Sequence, residues 1–118
     1  MNKTVLIIDD SKFMRNFLKR KLVRNGFKVI AEAESGEEAI KLYKAHFPSI
    51  VLSDITLPGI NGITTLKEIK KFNPTANVIM CSSLGYQDLI IEALRNGAID
   101  FIVKPFFENL IPILNKIK

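Results

Sequence analysis

Residues 4–10 have the sequence TVLIIDD, in which an uninterrupted apolar run ends in two aspartates. The run VLII has no polar alternation, and the same is true of IVL at residues 50–52 and VIM at residues 78–80. Such runs are typical of parallel strands that are covered by helices on both faces. The three segments are therefore predicted to be interior strands of one parallel sheet.

Short apolar runs alternate with longer amphipathic stretches along the whole chain, which is typical of β–α–β units. The predicted strands are Thr4–Ile8, Lys28–Ala31, Ile50–Ser53, Asn77–Met80 and Phe101–Val103. The predicted helices are Lys12–Asn25, Gly36–Phe47, Ile63–Phe72, Tyr86–Asn96 and Asn109–Lys118. Because the sequence has no linker, repeat or low-complexity segment, we expect residues 1–118 to form one doubly wound (βα)5 domain of the α/β class.

Several helix ends are marked by residues that favour them. Ser11 and Ser35 are predicted N-caps, and Gly26 and Gly97 follow two helices at positions where glycine is preferred. Pro112 lies inside the last predicted helix, where proline usually breaks the hydrogen-bond ladder. If Asn109 is the N-cap, Pro112 becomes the third helical residue, whose N–H would have no partner within the helix. A short last helix is therefore compatible with this proline.

The first predicted helix carries much of the positive charge. Its basic residues are expected on the outward face: Lys12, Arg15, Lys19, Arg20, Lys21 and Arg24. Its apolar residues are expected to face the sheet: Phe13, Met14, Phe17, Leu18 and Leu22. Although the formal net charge is +5, this placement favours a solvated helix face over a nucleic-acid surface. We therefore expect no direct contact with nucleic acid.

The composition is that of a soluble globular domain, with 47% hydrophobic and 25% charged residues. No apolar run approaches the roughly 18 residues of a membrane span, and no signal-peptide pattern is present, so we expect a cytoplasmic protein without membrane contact. The single cysteine, Cys81, is expected to be structural and half-buried. His46 is expected at the surface, so the sequence gives no support to a histidine-based catalytic triad.

Polar residues follow four of the five predicted strands. Asp9 and Asp10 end the first run, Asp54 the third, Ser82 the fourth and Lys104 the fifth. In an open parallel sheet, ligands bind beyond the carboxyl ends of the strands. Each of these residues could separately be a turn, cap or strand-end residue. Their occurrence at successive strand ends favours one shared pocket.

Three carboxylates in one pocket repel one another unless a cation or protons intervene. Mg²⁺ prefers oxygen ligands, so Asp10 and Asp54 are candidate direct ligands and Asp9 a candidate ligand through water. The Ser82 hydroxyl and the Lys104 ammonium could donate hydrogen bonds to anionic oxygens. Carboxylates are known nucleophiles in phosphoryl transfer, and Asp54 is the candidate here. The residues therefore predict a phosphoryl site with Mg²⁺ as cofactor.

Four stretches together resemble the receiver domains of bacterial response regulators. They are VLIIDDSKFMR, IVLSDITLPGINGI, VIMCSSLG and GAIDFIVKPF, which occur in the same order and spacing as in that family. The resemblance covers essentially the whole chain. It implies a flavodoxin-like, CheY-like fold with strand order 2-1-3-4-5, and the first and third of these stretches lean toward the chemotaxis type.

The resemblance also implies residue roles. Asp54 would be phosphorylated by a histidine kinase, and Mg²⁺ would be bound by Asp10, Asp54 and the backbone carbonyl of Thr56, with Asp9 completing the acidic pair. Ser82 would be the switch hydroxyl, and Lys104 would pair with the phosphoryl group and form a cis bond to Pro105. Phe101 would be the aromatic switch residue.

Three features depart from the resemblance. Phe101 replaces a tyrosine common in chemotaxis regulators, so the hydroxyl of that tyrosine is absent here. The last helix is one residue shorter than usual and contains Pro112. Thr56 and Leu84 lie where receivers vary their dephosphorylation rate.

The resemblance as a whole favours a stand-alone receiver that relays a chemotaxis signal rather than an enzyme. Expected partners are a histidine kinase, a downstream target such as the flagellar motor switch, and a phosphatase. A phosphorelay intermediate and the N-terminal receiver of a DNA-binding transcriptional regulator are alternatives. A flavodoxin-like cofactor binder would need a phosphate-binding loop in place of IIDDSKF, and a Mg²⁺-dependent phosphatase would need a second carboxylate two residues after Asp54.

Overall fold

The computed structural model describes residues 3–83 and 86–117. Its strands are β1 (Thr4–Ile8), β2 (Lys28–Ala33), β3 (Ile50–Asp54), β4 (Val78–Ser82) and β5 (Asp100–Val103). Its helices are α1 (Lys12–Arg24), α2 (Gly36–His46), α3 (Gly62–Phe72), α4 (Gln87–Arg95) and α5 (Leu110–Asn115). Strands and helices alternate throughout, as predicted.

All strand pairs are parallel, and the sheet has the order β2-β1-β3-β4-β5. The predicted fold and strand order are confirmed. Strands β3 and β4 are buried along their whole length, and β1 is buried from its second residue, whereas the edge strands β2 and β5 are only partly buried. The three uninterrupted apolar runs are therefore the three interior strands, because these strands have helices on both faces.

The core forms two layers, one on each face of the sheet. In the first layer α2, α3 and α4 pack on the strands, with side chains that include Tyr43, Leu66, Ile69 and Ile90. In the second layer α1 and α5 pack on the opposite face, with side chains that include Leu18, Leu22, Leu110 and Leu114. Both layers hold the interior strands in place, so the loops at the carboxyl ends of those strands start from fixed positions.

The predicted caps are found. The hydroxyl oxygens of Ser11 and Ser35 accept hydrogen bonds from backbone N–H groups in the first turns of α1 and α2. Gly26 and Gly97 have φ of +87° and +100° just after α1 and α4, a conformation that glycine adopts readily. Helix α5 is shorter than predicted, and Pro112 is its third residue after the N-cap Asn109.

The predicted faces of α1 are partly wrong. Arg15 is buried, at 7% exposure, whereas Phe13 and Phe17 are 78% and 44% exposed. The spacing explains this, because residues 15, 18 and 22 fall on one side of a helix with 3.6 residues per turn. Arg15 therefore shares the inner face with Leu18 and Leu22, and the two phenylalanines lie outside.

Other predictions from composition have mixed outcomes. His46 is exposed, as expected. Cys81 is fully buried rather than half-buried, since it lies on the interior strand β4, and this burial raises the pKa of its thiol to about 12. In the part of the chain that the structure describes, no helix has the length and apolar character needed to cross a membrane.

Candidate functional site

Asp54 is the last residue of β3 and is buried, with 8% of the residue exposed. The strand pairing places it beside Cys81 of β4. One carboxylate oxygen, Oδ1, accepts a hydrogen bond from the backbone N–H of Thr56 at 3.3 Å. Asp54 is therefore held at the carboxyl end of a fully buried strand, with its carboxylate pointing into the space beyond the sheet.

Two further carboxylates follow β1. Asp9 is 2% exposed, and its Oδ1 accepts a hydrogen bond from the backbone N–H of Ser11 at 2.9 Å. Asp10 is exposed. One carboxylate oxygen from each of Asp9, Asp10 and Asp54 lies within 4.8 Å of the others. The structure thus brings together the three predicted acidic residues.

Lys104 follows β5 and reaches the same cluster. Its Nζ donates to Oδ2 of Asp9 at 2.7 Å and to Oδ2 of Asp54 at 3.0 Å. Its backbone N–H donates to the carbonyl oxygen of Ser82 at the end of β4. The bond between Lys104 and Pro105 is cis, as predicted. In this structure Lys104 therefore bridges two carboxylates.

The cluster shifts the proton affinity of its members. Burial raises the pKa of the Asp54 carboxyl above its ordinary value, and the repulsion from Asp9 adds to this, while Lys104 acts in the opposite direction. Burial alone would lower the pKa of Lys104. The hydrogen bonds and charges of Asp9 and Asp54 together outweigh burial and raise the pKa of Lys104.

The donor set fits a hard divalent cation. When all three carboxylates are ionised, they carry three negative charges, and Lys104 supplies one positive charge, which leaves a formal charge of −2. Oxygen ligands at this spacing, with Asp10 open to solvent, suit Mg²⁺, which usually takes one or two carboxylates and keeps several waters.

The other predicted site residues are not members of the carboxylate group. Ser82 is buried at the end of β4, and its hydroxyl donates to the carbonyl oxygen of Ser83 at 3.0 Å. Thr56 is exposed beside Asp54. Phe101 is 36% exposed and faces a groove that Tyr86, Ile91 and Leu94 also line. Leu84 lies outside the described residues.

One residue near the cluster was missed by the sequence analysis. Arg15 donates from Nη1 to the main-chain carbonyl oxygen of Asp9 at 2.8 Å and pairs with Glu32 of β2 at 3.2 Å. The signal was present, because the spacing of residues 15, 18 and 22 places Arg15 on the apolar face of α1. A charged residue on such a face needs a buried partner.

Comparison with known proteins identifies the family to which the chain belongs. The model of a family described as the response regulator receiver domain matches residues 5–115. The chemotaxis protein CheY of Bacillus subtilis is 50% identical over 117 residues, which cover 98% of each chain. The CheY of Thermotoga maritima is 48% identical over 118 residues, which cover 99% of this chain and 98% of that protein.

A solved structure is also similar. It is the crystal structure of a CheX-CheY-BeF3-Mg complex from Borrelia burgdorferi, with a TM-score of 0.87 and 41% sequence identity, and the match covers 97% of this chain and 85% of that chain. The chain therefore belongs to the response regulator receiver domain family. More particularly, it is a CheY-like receiver of a two-component system. Such receivers are signalling proteins that bind Mg²⁺ at an aspartate cluster and interact with histidine kinases and downstream targets.

Proposed function

We propose that this chain is a phosphorylation-controlled switch in a chemotaxis two-component system, in which a histidine kinase phosphorylates Asp54 with Mg²⁺ as cofactor. The observation that carries the proposal is the position of the Asp54 carboxylate at the end of β3. It lies in a group of three carboxylates and 3.0 Å from the Lys104 ammonium. Phosphoryl transfer needs a placed nucleophile and charge stabilisation, and this arrangement can supply both.

The proposed transfer uses one carboxylate oxygen of Asp54 as nucleophile. This oxygen forms a bond to the phosphorus atom of a phosphohistidine while the bond between phosphorus and nitrogen breaks. The electron pair of the broken bond leaves with the imidazole, whose other nitrogen carries a proton, so the ring leaves neutral. The Lys104 ammonium favours the ionised form of Asp54 that the attack requires.

The residues that would hold Mg²⁺ are Asp10, Asp54 and the backbone carbonyl of Thr56, with Asp9 acting through water. When bound, the ion supplies positive charge that offsets the carboxylates and the phosphoryl oxygens. Asp9 also has a role of its own, because its two oxygens already hold the Ser11 N–H and the Lys104 ammonium. It would keep Lys104 at the mouth of the cluster.

The switch would follow from a change of hydrogen-bond partners. A phosphoryl group on Asp54 adds charge and acceptor oxygens. Lys104, which bridges two carboxylates, and Ser82, whose hydroxyl donates to the Ser83 carbonyl, would turn to these oxygens. The movement of Ser82 would open space for the Phe101 ring to turn inward from its groove. The surface of α4, β5 and α5 would then change its affinity for partners.

We propose that residues 1–118 act as a receiver domain that relays the signal by protein contact. The proposed partners are a histidine kinase, a phosphatase and a downstream protein such as the flagellar motor switch. The extent of the match to two CheY proteins supports this role. The complex of a related CheY with CheX supports regulation by a second protein that binds the receiver.

The proposal is tested by incubation with acetyl phosphate and Mg²⁺, followed by intact mass spectrometry. We expect the wild type to gain the mass of one phosphoryl group and to lose it in hydroxylamine, which cleaves acyl phosphates. The variant Asp54→Asn should gain none. Asp88→Asn, the same chemical change at an exposed residue of α4, is the matched control and should behave as the wild type. Equal phosphorylation of Asp54→Asn would refute the proposal.

A further inference from the structure

Arg15 is a buried cation that the proposed transfer chemistry does not use. Its side chain is 9% exposed, although arginine is rarely buried unless paired. It lies on the inner face of α1, between the loop that follows β1 and the edge strand β2. Its burial therefore depends on the polar partners of its guanidinium group.

Among the described residues, the polar contacts of its side chain are with Glu32, with Glu34 and with the backbone of the loop that follows β1. Nη1 donates to the carbonyl oxygen of Asp9 at 2.8 Å, and this hydrogen bond is buried. Nε donates to Oε1 of Glu32 at 3.2 Å, and Nη2 lies 3.7 Å from Oε1 of Glu34. The planar guanidinium thus contacts the Asp9 carbonyl, Glu32 and Glu34 at the same time, because its N–H groups have fixed directions.

The contact with Asp9 has a consequence for Asp10. The carbonyl oxygen of Asp9 belongs to the planar peptide unit that also contains the N–H of Asp10. The other groups of Asp9 are held as well: its N–H donates to the Ala33 carbonyl at 3.0 Å, and its carboxylate bonds Ser11 and Lys104. The hydrogen bond from Arg15 therefore restrains the rotation of the peptide unit between Asp9 and Asp10.

Asp10 itself is exposed, so packing does little to hold its side chain. The direction of its side chain depends mainly on the backbone at Asp9 and Asp10. We infer that Arg15 is a positioning residue, which anchors the peptide unit between Asp9 and Asp10 to β2 and so aims the Asp10 carboxylate at Mg²⁺. This inference rests on the proposed function, because it assigns Asp10 to the metal. Arg15 would act on the ion only through Asp10, the residue that binds it.

The test is the dissociation constant of Mg²⁺, measured by isothermal titration calorimetry without a phosphodonor. Arg15→Met is expected to weaken Mg²⁺ binding about tenfold, as is common for groups that orient a metal ligand. Arg15→Lys keeps the charge but lacks the planar fork, and should give an intermediate value. The matched control is Lys19→Met, which removes an exposed partner of Glu32 at 3.6 Å without touching Asp9. It should bind Mg²⁺ like the wild type.

Urea unfolding without Mg²⁺ separates positioning from stability. If Arg15 only stabilises the fold, both Arg15 variants unfold at lower urea but bind Mg²⁺ as the wild type does, and the inference is overturned. If Arg15→Met does not fold, the affinity of Arg15→Lys decides by the same criterion. Failure of the wild type to bind Mg²⁺ would contradict the proposed function, and the positioning role with it. If the wild type binds Mg²⁺ and the Arg15 variants bind it with the same dissociation constant, the positioning role alone is contradicted.

Discussion

The Lys104 ammonium forms ion pairs with the carboxylates of both Asp9 and Asp54. Its side chain is 15% exposed, and those of Asp9 and Asp54 are 2% and 10% exposed. Breaking a buried ion pair on one side leaves uncompensated charge, which costs about 3–5 kcal/mol in buried pairs. Because Asp10 is exposed and solvent reaches the cluster, we expect the lower part of that range for Lys104→Met.

The raised pKa of Lys104 predicts how this contribution depends on pH. The folded protein holds the Lys104 proton more tightly than the unfolded chain does, for which the ordinary value is 10.5. The contribution should therefore be fully present below pH 10.5 and be lost as the pH rises through the higher value of the folded state. Urea unfolding on both sides of pH 10.5 measures it.

The comparison variant for this measurement is Lys104→Met. The difference in free energy of unfolding between wild type and variant should shrink as the pH rises above 10.5. Other lysines titrate in both proteins and cancel in this difference. A difference that stays constant over this pH range would contradict the assigned pairing.

At the scale of elements, the start of α3 lies directly on the backbone of the candidate phosphoacceptor. The N–H of Gly62 donates to the Ile55 carbonyl at 2.7 Å. A Cβ atom at position 62 would lie 2.3 Å from the carbonyl oxygen of Asp54 and 2.7 Å from Cα of Ile55. Neither neighbour is a flexible side-chain end, so α3 or the end of β3 would have to shift.

We predict that Gly62→Ala destabilises the protein by about 1–3 kcal/mol, the usual cost of inserting atoms into a packed site. The control is Thr64→Ala, which removes atoms from an exposed position two residues further along α3. Thermal or urea unfolding of both variants measures the effect. Equal stability of the two variants would show that the contact between α3 and Asp54 is looser than the structure indicates.

The sequence predicts these elements unevenly, for physical reasons. The ends of β1 and β5 were predicted correctly because their apolar runs stop at Asp9 and Lys104, whereas β2 and β4 each continue two residues beyond the predicted end. Parallel strands bring Asp9, Asp54 and Lys104 to one edge of the sheet. The burial of Arg15 was not predicted. The spacing places it on the apolar face of α1, but a charged side chain is assigned to the outward face as long as partners such as Glu32 are not known. Helix α2 was predicted to end at Phe47 and ends one residue earlier, because Phe47 adopts φ of +46°, a conformation more usual for glycine. Its ring packs with those of Tyr43 and Phe72.

At the scale of the whole molecule, the carboxylate cluster keeps a formal charge of −2 after Lys104 is counted, and this excess negative charge opposes folding while no metal ion is bound. The raised pKa of Asp54 means that its ionised form costs stability relative to the unfolded chain. The cluster lies at the carboxyl ends of the interior strands β1 and β3, and both core layers pack on these strands. An ion bound at the cluster should therefore stabilise the whole domain.

We predict that Mg²⁺ raises the free energy of unfolding with concentration, by about 2.7 kcal/mol at a hundredfold excess over its dissociation constant. Removal of the ion with EDTA should reverse the effect. Asp10→Asn should reduce it, and Asp88→Asn, far along the chain on α4, should not. The measurement is urea unfolding at a series of Mg²⁺ concentrations. If Mg²⁺ stabilised Asp10→Asn as much as the wild type, the ion would not bind at Asp10 and the proposed metal site would be contradicted.

The central claim is that Asp54 is the residue that receives the phosphoryl group. Borohydride reduces an aspartyl phosphate to homoserine, so reduction after treatment with acetyl phosphate and Mg²⁺ marks the modified position for peptide mass spectrometry. We predict homoserine at position 54, in amounts that depend on Mg²⁺. Homoserine at position 9 or 10, with Asp54 unmodified, would contradict the claim.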